Sequence, residues 1–439
     1  MKALPSDTVI LPTKRGGLVV SRSHATFCGV DSSDLPAVEA VIADPTIALR
    51  PEIAARLEAH GFFGAARPPP PSKRTVSLQI TNACNLRCGY CCTNSLHPRD
   101  EELGLDAWKK VVDDACTTFG ARVRFGIIGG EPLVVPWALD LAEYIASKND
   151  VHLAFYTNGI GFRDPEYAAR GAALIRRGFE VRVSLAGATA ETCDRQSGMP
   201  RFDRALVGLH AVAAHGVTAD VDVMLFPEDL ADVATHLPAL RRALPPGTHL
   251  SIGFAYHGGR ESGGRVFASR SELESAFDAI VLEAGEEIAA PATGPLANRR
   301  EGCNCALGNS LNVRSDGRLF GCFRMEEEVG DLRQASFGET LVALGKAPRP
   351  ASSLAPCSTC ALATLCGGGC RTDNLLFNGD ANAPPCGPWR VQVLSELLSE
   401  DRVSCLEWTL PQLAGEASAR GIEAPDLSRT VQISRHLRE

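Results

Sequence analysis

Two patterns of hydrophobic and polar residues follow one another in a regular order along residues 75–289: one is typical of strands and the other of amphipathic helices. Short runs rich in β-branched residues, typical of buried strands, are each followed by a stretch with the period of an amphipathic helix. The predicted strands are TVSLQIT, VRFGIIGG, HLAFYTNG, EVRVSLAG, ADVDVMLF and HLSIGFAYH. The helices that follow them are expected near residues 104–119, 135–148, 164–177, 203–215, 229–243 and 271–289.

Six strand–helix units in succession predict an α/β fold with a parallel sheet. Right-handed crossovers would curl such a sheet into a barrel, but six units are fewer than the eight of a closed TIM barrel. We therefore predict a partial (β/α)6 TIM-like barrel over residues 73–292. Parallel sheets of this kind bind ligands at the carboxyl ends of their strands, so the active site is expected there.

The segment before the barrel, residues 1–66, has the pattern of a small separate domain. VILPTKRGGLVV predicts a hairpin that turns at Gly16 and Gly17, and two short amphipathic helices follow it. The proline-rich stretch over residues 67–72 is typical of an extended linker and marks the domain boundary.

After about residue 295 the periodicity fades, and Cys, Gly and Pro dominate the sequence. A segment with so little apolar patterning, here residues 300–390, is expected to be held together by metal. An amphipathic helix is predicted over residues 389–400, at the start of a C-terminal helix and tail that we assign to residues 391–439.

Composition narrows the classes of function. Of the 439 residues, 45% are hydrophobic and 22% charged, which is typical of a folded, soluble chain of two or three domains. A formal net charge of −8 argues against a nucleic-acid partner bound through bulk positive charge. No apolar run reaches the length of a membrane helix, and the N-terminus lacks a signal-peptide pattern. We expect a cytoplasmic protein without a membrane or nucleic-acid partner.

The sixteen cysteines are clustered, which in a reducing compartment indicates metal binding or chemistry rather than disulfides. Three lie within residues 84–91 and eight within residues 303–386. The five others are expected to be small buried hydrophobic residues. They are Cys28, Cys92, Cys116, Cys193 and Cys405.

The first group, Cys84, Cys88 and Cys91, comes directly after the first predicted strand. Three thiolates on a tight loop can bind three irons of a [4Fe–4S] cluster and leave the fourth iron open. An open coordination position distinguishes catalytic from structural metal sites. A closed zinc site with Cys92 as the fourth ligand is the alternative, although side chains of adjacent residues such as Cys91 and Cys92 point apart.

The stretch CNLRCGYCC, with CxxxCxxC and an aromatic residue before its last ligand, resembles the signature of radical S-adenosylmethionine (SAM) enzymes. GGEP at the end of the second strand, TNG after the third and VSLAG after the fourth resemble further motifs of this family. The resemblance implies contacts to the amine, ribose and carboxylate of SAM. The implied SAM-binding residues are Tyr90, Gly129, Gly130, Glu131, Pro132, Asn158, Ser184 and Arg195.

The chemistry that this resemblance implies is a hydrogen abstraction. SAM binds the open iron, an electron passes through the cluster, and cleavage gives methionine and a 5′-deoxyadenosyl radical that removes hydrogen from an unactivated C–H bond. The cysteines at 84, 88 and 91 would be the catalytic cluster ligands. A reducing partner such as flavodoxin or ferredoxin would supply the electron.

The second cysteine group resembles a SPASM domain, the extension that carries auxiliary iron–sulfur clusters in radical SAM peptide modifiers. Eight thiols are enough for two further [4Fe–4S] clusters, which makes three in total. The implied ligands are Cys303, Cys305, Cys322, Cys357, Cys360, Cys366, Cys370 and Cys386. The spacing of Cys303 and Cys305 is narrower than in the family pattern, so ligation by one or by both is open. Two zinc-ribbon-like sites are the alternative.

Enzymes with a SPASM domain mostly modify peptides or proteins, which implies a ribosomally made precursor peptide as the substrate. The N-terminal segment resembles the winged-helix element that binds leader peptides, although a small domain packed on the barrel is the alternative. We expect a radical SAM oxidoreductase, a peptide maturase that forms an oxidative intramolecular C–S or C–C cross-link. The alternatives are epimerisation, with Cys193 or Cys92 as hydrogen donor, formylglycine formation in sulfatases, and oxidation of a small molecule. Phe323 and Arg324 after Cys322 disfavour the sulfatase alternative, because that group carries a carboxylate there.

Overall fold

A computed structural model describes residues 3–13, 16–65, 74–120, 122–254, 259–260, 310–323, 325, 327–344 and parts of 351–384. These residues fall into two compact units. The first unit contains residues 3–65 and the described parts of 351–384, and the second contains residues 74–260 and 310–344. The helices predicted over residues 271–289 and 389–400 lie outside the described residues, as do the linker over residues 67–72 and Cys405.

The N-terminal part of the first unit is a three-stranded antiparallel sheet followed by two helices. The strands are β1 (Thr8–Thr13), β2 (Gly16–Ser21) and β3 (Thr26–Asp31), in the order β1-β2-β3, and the helices are α1 (Leu35–Ala43) and α2 (Pro51–Ala59). Its core includes Val19, Cys28, Val38, Leu57 and Phe62, all nearly or fully buried. The hairpin and both helices were predicted from the sequence, whereas β3 was not.

The prediction that the hairpin turns at Gly16 and Gly17 is wrong. Both glycines lie in β2, where Gly16 pairs with Thr13 and Gly17 with Pro12. A Cβ atom on Gly16 would lie 1.9 Å from the carbonyl oxygen of Val30 in β3. Glycine is therefore needed here for close strand approach and not for a turn.

The second unit is built on six parallel strands connected by helices, as the sequence predicts. The strands are β4 (Arg74–Gln79), β5 (Val123–Ile128), β6 (Val151–Thr157), β7 (Glu180–Leu185), β8 (Asp220–Leu225) and β9 (Leu250–Phe254). The helices are α3 (Leu105–Phe119), α4 (Ala138–Ala146), α5 (Pro165–Arg176), α6 (Ala190–Ser197), α7 (Phe202–Ala213) and α8 (Leu230–Ala243). Helix α6 was not predicted. The α/β fold with a parallel sheet is confirmed.

Three short strands extend this sheet beyond β4. They are β10 (Ser310–Val313), β11 (Arg318–Phe320) and β12 (Glu328–Asp331), and helix α9 (Phe337–Leu344) follows them. Strand β10 pairs with β4 in parallel, while β11 and β12 add in antiparallel order. Among the described residues, the sheet therefore has nine strands in the order β12-β11-β10-β4-β5-β6-β7-β8-β9.

The two faces of the parallel sheet differ in polarity. In β7 the apolar residues Val181, Val183 and Leu185 are buried in the core that the helices cover. The alternating residues point to the other face, where Arg182 donates to Asp222 of β8 at 2.5 Å. The sheet thus presents polar side chains on the face that the core does not use. Among the described residues, no helix is long and apolar enough to cross a membrane.

Candidate cluster and SAM site

The three cysteines of the first group lie on one loop after β4, which we call the cysteine loop (residues 84–91). All three thiols are half-buried. The loop is fixed by its backbone: Cys84 N–H donates to Leu96 O at 3.2 Å, and Cys91 N–H donates to Cys88 O at 3.3 Å. The structure therefore brings the predicted ligands together at the carboxyl end of the first parallel strand.

Backbone and hydroxyl groups surround two of the thiols. Leu86 N–H donates to Cys84 Sγ at 3.4 Å, and Ser95 N–H donates to Cys91 Sγ at 3.3 Å. Thr93 Oγ1 lies 3.4 Å from Cys91 Sγ. Hydrogen bonds to sulfur stabilise thiolates and tune the iron–sulfur clusters that thiolates hold. No sequence motif identified Thr93 or Ser95, because their role depends on how the loop folds back.

Burial and these hydrogen bonds act on the thiols in opposite directions. Burial raises the pKa of Cys84 to about 12 and also raises the pKa of Cys88. For Cys91, burial alone would raise the pKa, but hydrogen bonds from Thr93 and Ser95 outweigh it and lower the value. Since the thiolate is the form that binds metal, iron binding must release protons from these groups.

The GGEP segment, residues 129–132, packs directly against the cysteine loop. Gly130 N–H donates to Thr81 O at 2.8 Å, and Glu131 N–H donates to Ala83 O at 2.9 Å. A Cβ atom on Gly130 would lie 2.2 Å from Ala83 O and 2.9 Å from the Cβ of Cys84. Glycine at position 130 therefore lets the end of β5 approach the first ligand of the loop.

Gly130→Ala is expected to destabilise the chain by about 1–3 kcal/mol and to lower its iron content, because the cysteine loop must shift to admit the methyl group. Gly126→Ala, in the strand that leads to Gly130, is the matched control, since a Cβ there would meet its nearest atom at 3.8 Å. Thermal unfolding of the apoproteins and iron analysis after anaerobic reconstitution measure both effects. Equal stability and equal iron content in the two variants would contradict this account.

Glu131 is buried and its carboxylate joins two strand ends. It accepts from Leu133 N–H at 3.0 Å, from Thr157 Oγ1 at 2.6 Å and from Asn158 N–H at 2.6 Å. Burial raises the pKa of Glu131, and these hydrogen bonds oppose the rise. The carboxylate therefore holds the ends of β5 and β6 together, while its contact with the SAM amine stays a prediction.

Asn158 connects the third strand to the cysteine loop. Its Nδ2 donates to Asn85 Oδ1 at 2.7 Å, and its Oδ1 accepts from Ile160 N–H at 3.0 Å. The ends of β4, β5 and β6 thus form one hydrogen-bonded group around the thiols. The sequence did not identify Asn85 as a site residue, because its partner Asn158 is 73 residues away along the chain.

The remaining predicted SAM-binding residues lie around this group with partners of their own. Tyr90 packs against Phe226 with ring centroids 4.9 Å apart and the rings tilted by 57°, and it forms a hydrogen bond with Cys88. Ser184 is the second-last residue of β7, and its carbonyl accepts from a buried arginine, Arg201. Arg195 on α6 is half exposed and forms an ion pair with Asp229. Pro132 begins a short 3₁₀ turn after Glu131.

The donor set of the cysteine loop fits a cubane cluster. Within the described ranges, no three His, Cys, Asp or Glu side chains converge on a point where one ion would bind. That finding concerns a single-ion site, because a [4Fe–4S] cluster takes each thiolate on a different iron. Three half-buried thiols, two of them accepting from backbone N–H groups, are ligands of the kind that such a cluster requires.

Three ligands expected for the auxiliary clusters are also described. Cys322 follows β11 in the second unit, and Cys357 and Cys360 form a turn in the first unit, where Cys360 N–H donates to Cys357 O at 3.1 Å. The others lie outside the described residues: Cys303, Cys305, Cys366, Cys370 and Cys386.

The sequence is similar to proteins of known activity. Mycofactocin maturase MftC of Mycobacterium tuberculosis is 37% identical over 141 residues, which are 32% of this chain and 34% of the maturase. The match thus spans about a third of that relative. GTP 3′,8-cyclase of Mycobacterium sp. (strain KMS) is 30% identical over 286 residues, 59% of this chain and 77% of the cyclase.

Two solved structures share the fold at low sequence identity. The enzyme anSMEcpe with bound AdoMet superimposes with a TM-score of 0.54 at 16% identity, over 79% of this chain and 99% of that chain. SuiB of Streptococcus suis bound to precursor peptide SuiA superimposes with a TM-score of 0.52 at 13% identity, over 88% of this chain and 98% of that chain.

The family model for the Radical SAM superfamily matches residues 78–237, a range that begins in β4 and ends in α8. This range includes the cysteine loop, GGEP and TNG, the three segments that the structure brings into contact. Together with the cyclase match, it establishes that this chain belongs to the radical SAM superfamily of enzymes.

Proposed function

We propose that this chain is a peptide maturase that removes hydrogen from a ribosomally made precursor peptide and forms an oxidative intramolecular C–S or C–C cross-link. The observation that carries the proposal is the cysteine loop held against the GGEP and TNG segments. Similarity to a mycofactocin maturase supports a peptide substrate, and so does a fold shared with an enzyme that was solved with its precursor peptide.

Superfamily membership implies one [4Fe–4S] cluster and SAM, which supply a strongly oxidising radical when bound. In our proposal Cys84, Cys88 and Cys91 bind the cluster, and the GGEP and TNG segments orient SAM. Gly130 keeps the end of β5 against the cysteine loop, and Glu131 holds the ends of β5 and β6 in register. These contacts preorganise the site before substrate arrives.

The parallel sheet of the second unit is interpreted as a partial (β/α)6 barrel over residues 73–292. We assign residues 300–390 to a SPASM domain with two auxiliary clusters and residues 391–439 to a C-terminal helix and tail. The turn that carries Cys357 and Cys360 supports this assignment, because C-x2-C turns are common metal-ligand units. Auxiliary clusters suit cross-linking, since a substrate radical that closes a new bond must give up an electron.

Residues 1–66 are proposed to bind the leader of the precursor peptide. This segment combines a three-stranded sheet with two helices, which supports the comparison with a winged-helix element. Strands β1 and β3 are the edge strands of the sheet. Edge strands capture extended peptides through main-chain hydrogen bonds. We further propose a flavodoxin or ferredoxin as the electron donor and the cytoplasm as the compartment.

A small-molecule substrate is the second candidate, because the match to GTP 3′,8-cyclase covers more of this chain than the match to the maturase. The position of Cys193, one of the two cysteines expected as hydrogen donor, disfavours epimerisation. Cys193 is fully buried, and its sulfur accepts from Arg201 Nε at 3.4 Å. A thiol in that position does not face a bound substrate.

Co-expression of the chain with any short peptide that is encoded beside its gene tests the proposal. The expected result is a peptide that has lost two hydrogen atoms, with new cross-linked fragments by tandem mass spectrometry and formation of 5′-deoxyadenosine. Cys88→Ala, which removes one cluster ligand, is the matched control and should leave the peptide unchanged. Peptides of unaltered mass, together with 5′-deoxyadenosine formation that requires a nucleotide, would instead favour the small-molecule candidate.

A further inference from the structure

Arg201 is a fully buried cation that none of the motifs above includes. Its side chain is among the largest fully buried ones, and its guanidinium donates from Nη2 to Ser184 O and from Nε to Cys193 Sγ at 3.4 Å. Within the part of the chain that the structure describes, no carboxylate forms an ion pair with it. Burial of a cation is costly unless negative charge lies nearby.

The polypeptide around Arg201 is fixed to the cysteine loop. Arg87 N–H donates to Ser197 O at 3.0 Å, and Gly89 N–H donates to Gln196 O at 3.3 Å. A Cβ atom on Gly198 would lie 2.8 Å from Arg87 O. The end of α6 therefore lies in direct contact with the loop between its first and last ligands, a few residues before Arg201.

A second set of contacts fixes the start of α7. The carboxylate of Asp194 accepts from the backbone N–H groups of Arg201 at 2.8 Å and Phe202 at 2.9 Å. With its backbone held by Asp194 and its side chain held by Ser184 O and Cys193 Sγ, the guanidinium has little freedom to move. Its charge is also permanent, because guanidinium does not lose its proton in proteins.

The charge acts on groups of the cluster site. Burial raises the pKa of the Cys88 thiol and of the Glu131 carboxyl, and the positive charge of Arg201 opposes the rise in both cases. Arg195, the arginine that the sequence motif singles out, is in contrast half exposed and engaged with Asp229. Arg201 is thus a fully buried cation that favours negative charge at the cysteine loop. The half-buried Arg260, whose backbone N–H donates to Cys91 O at 3.0 Å, acts in the same direction.

We propose that Arg201 is a positioning residue whose fixed charge stabilises the anionic cluster held by Cys84, Cys88 and Cys91 and raises its reduction potential. Reduction adds one electron from the external donor and no proton, so a nearby positive charge in a medium of low dielectric constant favours the reduced state. The cluster in turn would add negative charge near a guanidinium that forms no ion pair among the described residues. The inference goes beyond the choice of substrate and holds for a peptide or a small molecule.

The test compares full-length chains reconstituted anaerobically, without SAM, by redox titration followed by electron paramagnetic resonance. The signal that shifts on later addition of SAM identifies the first cluster. Arg201→Met is expected to lower the equilibrium constant for its reduction about tenfold, which is about 59 mV in potential, while Arg201→Lys stays close to the unaltered chain. Arg170→Met, which removes an arginine paired with Asp140 and Glu143 on the helical side, is the control and should change nothing.

Three results would overturn the proposal. The first is an unchanged potential in Arg201→Met with the cluster loaded. The second is an unchanged potential with weaker SAM binding, which would assign Arg201 to SAM itself. The third is an equal fall in potential in Arg170→Met, because the shift would then not depend on where the charge lies. If the methionine variant folds but loads no cluster, Arg201→Gln, whose amide can still donate to Ser184 O, gives the same comparison.

Discussion

Cys91→Ala is expected to remove about four irons from the reconstituted chain and to abolish formation of 5′-deoxyadenosine, whereas Cys92→Ala keeps both. The structure separates these neighbouring cysteines. The Cys91 sulfur accepts from Ser95 N–H and lies 3.4 Å from the Thr93 hydroxyl, and its pKa is lowered despite burial. Gly259 packs against the main chain of both cysteines, where a Cβ atom would lie 2.3 Å from Cys91 O and 2.6 Å from Cys92 O, so the distinction rests on the sulfur contacts of Cys91.

Iron and sulfide analysis with parallel assay of SAM cleavage measures this difference, and the SAM-responsive paramagnetic signal confirms which cluster is lost. The unaltered chain, reconstituted in the same batch, sets the reference of about twelve irons. Loss of four irons in both variants would make Cys92 a ligand. That result would favour a closed site with four thiols over a cluster with an open iron.

Much of the second unit was predictable because its strands bury one face among helices. Val181, Val183 and Leu185 in β7 alternate with polar residues, and this alternation specifies both the strand and the face that it buries. Strand β10 was not predictable by the same route. It pairs with β4 across more than 200 residues, and nothing local in a four-residue strand encodes such a partner.

The candidate site shows the same division between local and distant information. The spacing of Cys84, Cys88 and Cys91 is a local property, so the sequence alone identifies them. Arg201 and Asn85 gain their roles from residues that are distant along the chain, such as Ser184 and Asn158. The motif points to Arg195, whose contact with the SAM carboxylate stays a prediction, and the structure adds that its guanidinium pairs with Asp229.

Glycine illustrates why a residue type alone misleads. Gly16 and Gly17 were interpreted as turn residues, yet Gly16 is required where two strands approach closely. At Gly130 the same physical reason, a backbone approach that leaves no room for a Cβ atom, creates the contact with the cysteine loop. Both positions require a residue without a Cβ atom, and neither requires a left-handed backbone conformation. Only the structure distinguishes these two reasons for a glycine.

Cys357→Ala together with Cys360→Ala is expected to remove about four irons, to preserve SAM cleavage and to abolish the cross-link in the precursor peptide. The reason is the proposed division of labour between the first cluster, which serves SAM cleavage, and the auxiliary clusters, which accept an electron from the substrate. Both cysteines lie in the first unit on one turn, with Cys357 N–H donating to Leu354 O at 3.0 Å.

The matched control is Cys28→Ala, a fully buried thiol of the same unit that packs with Val19 and Leu57. This variant should lose about 1 kcal/mol of stability but keep all its iron and its cross-linking activity. Iron analysis, a 5′-deoxyadenosine assay and peptide mass together separate the possibilities. Full iron content in the double variant would exclude Cys357 and Cys360 as ligands. Loss of four irons with cross-linking intact would instead leave that cluster as a structural element, because an electron acceptor cannot be removed without stopping an oxidative bond closure.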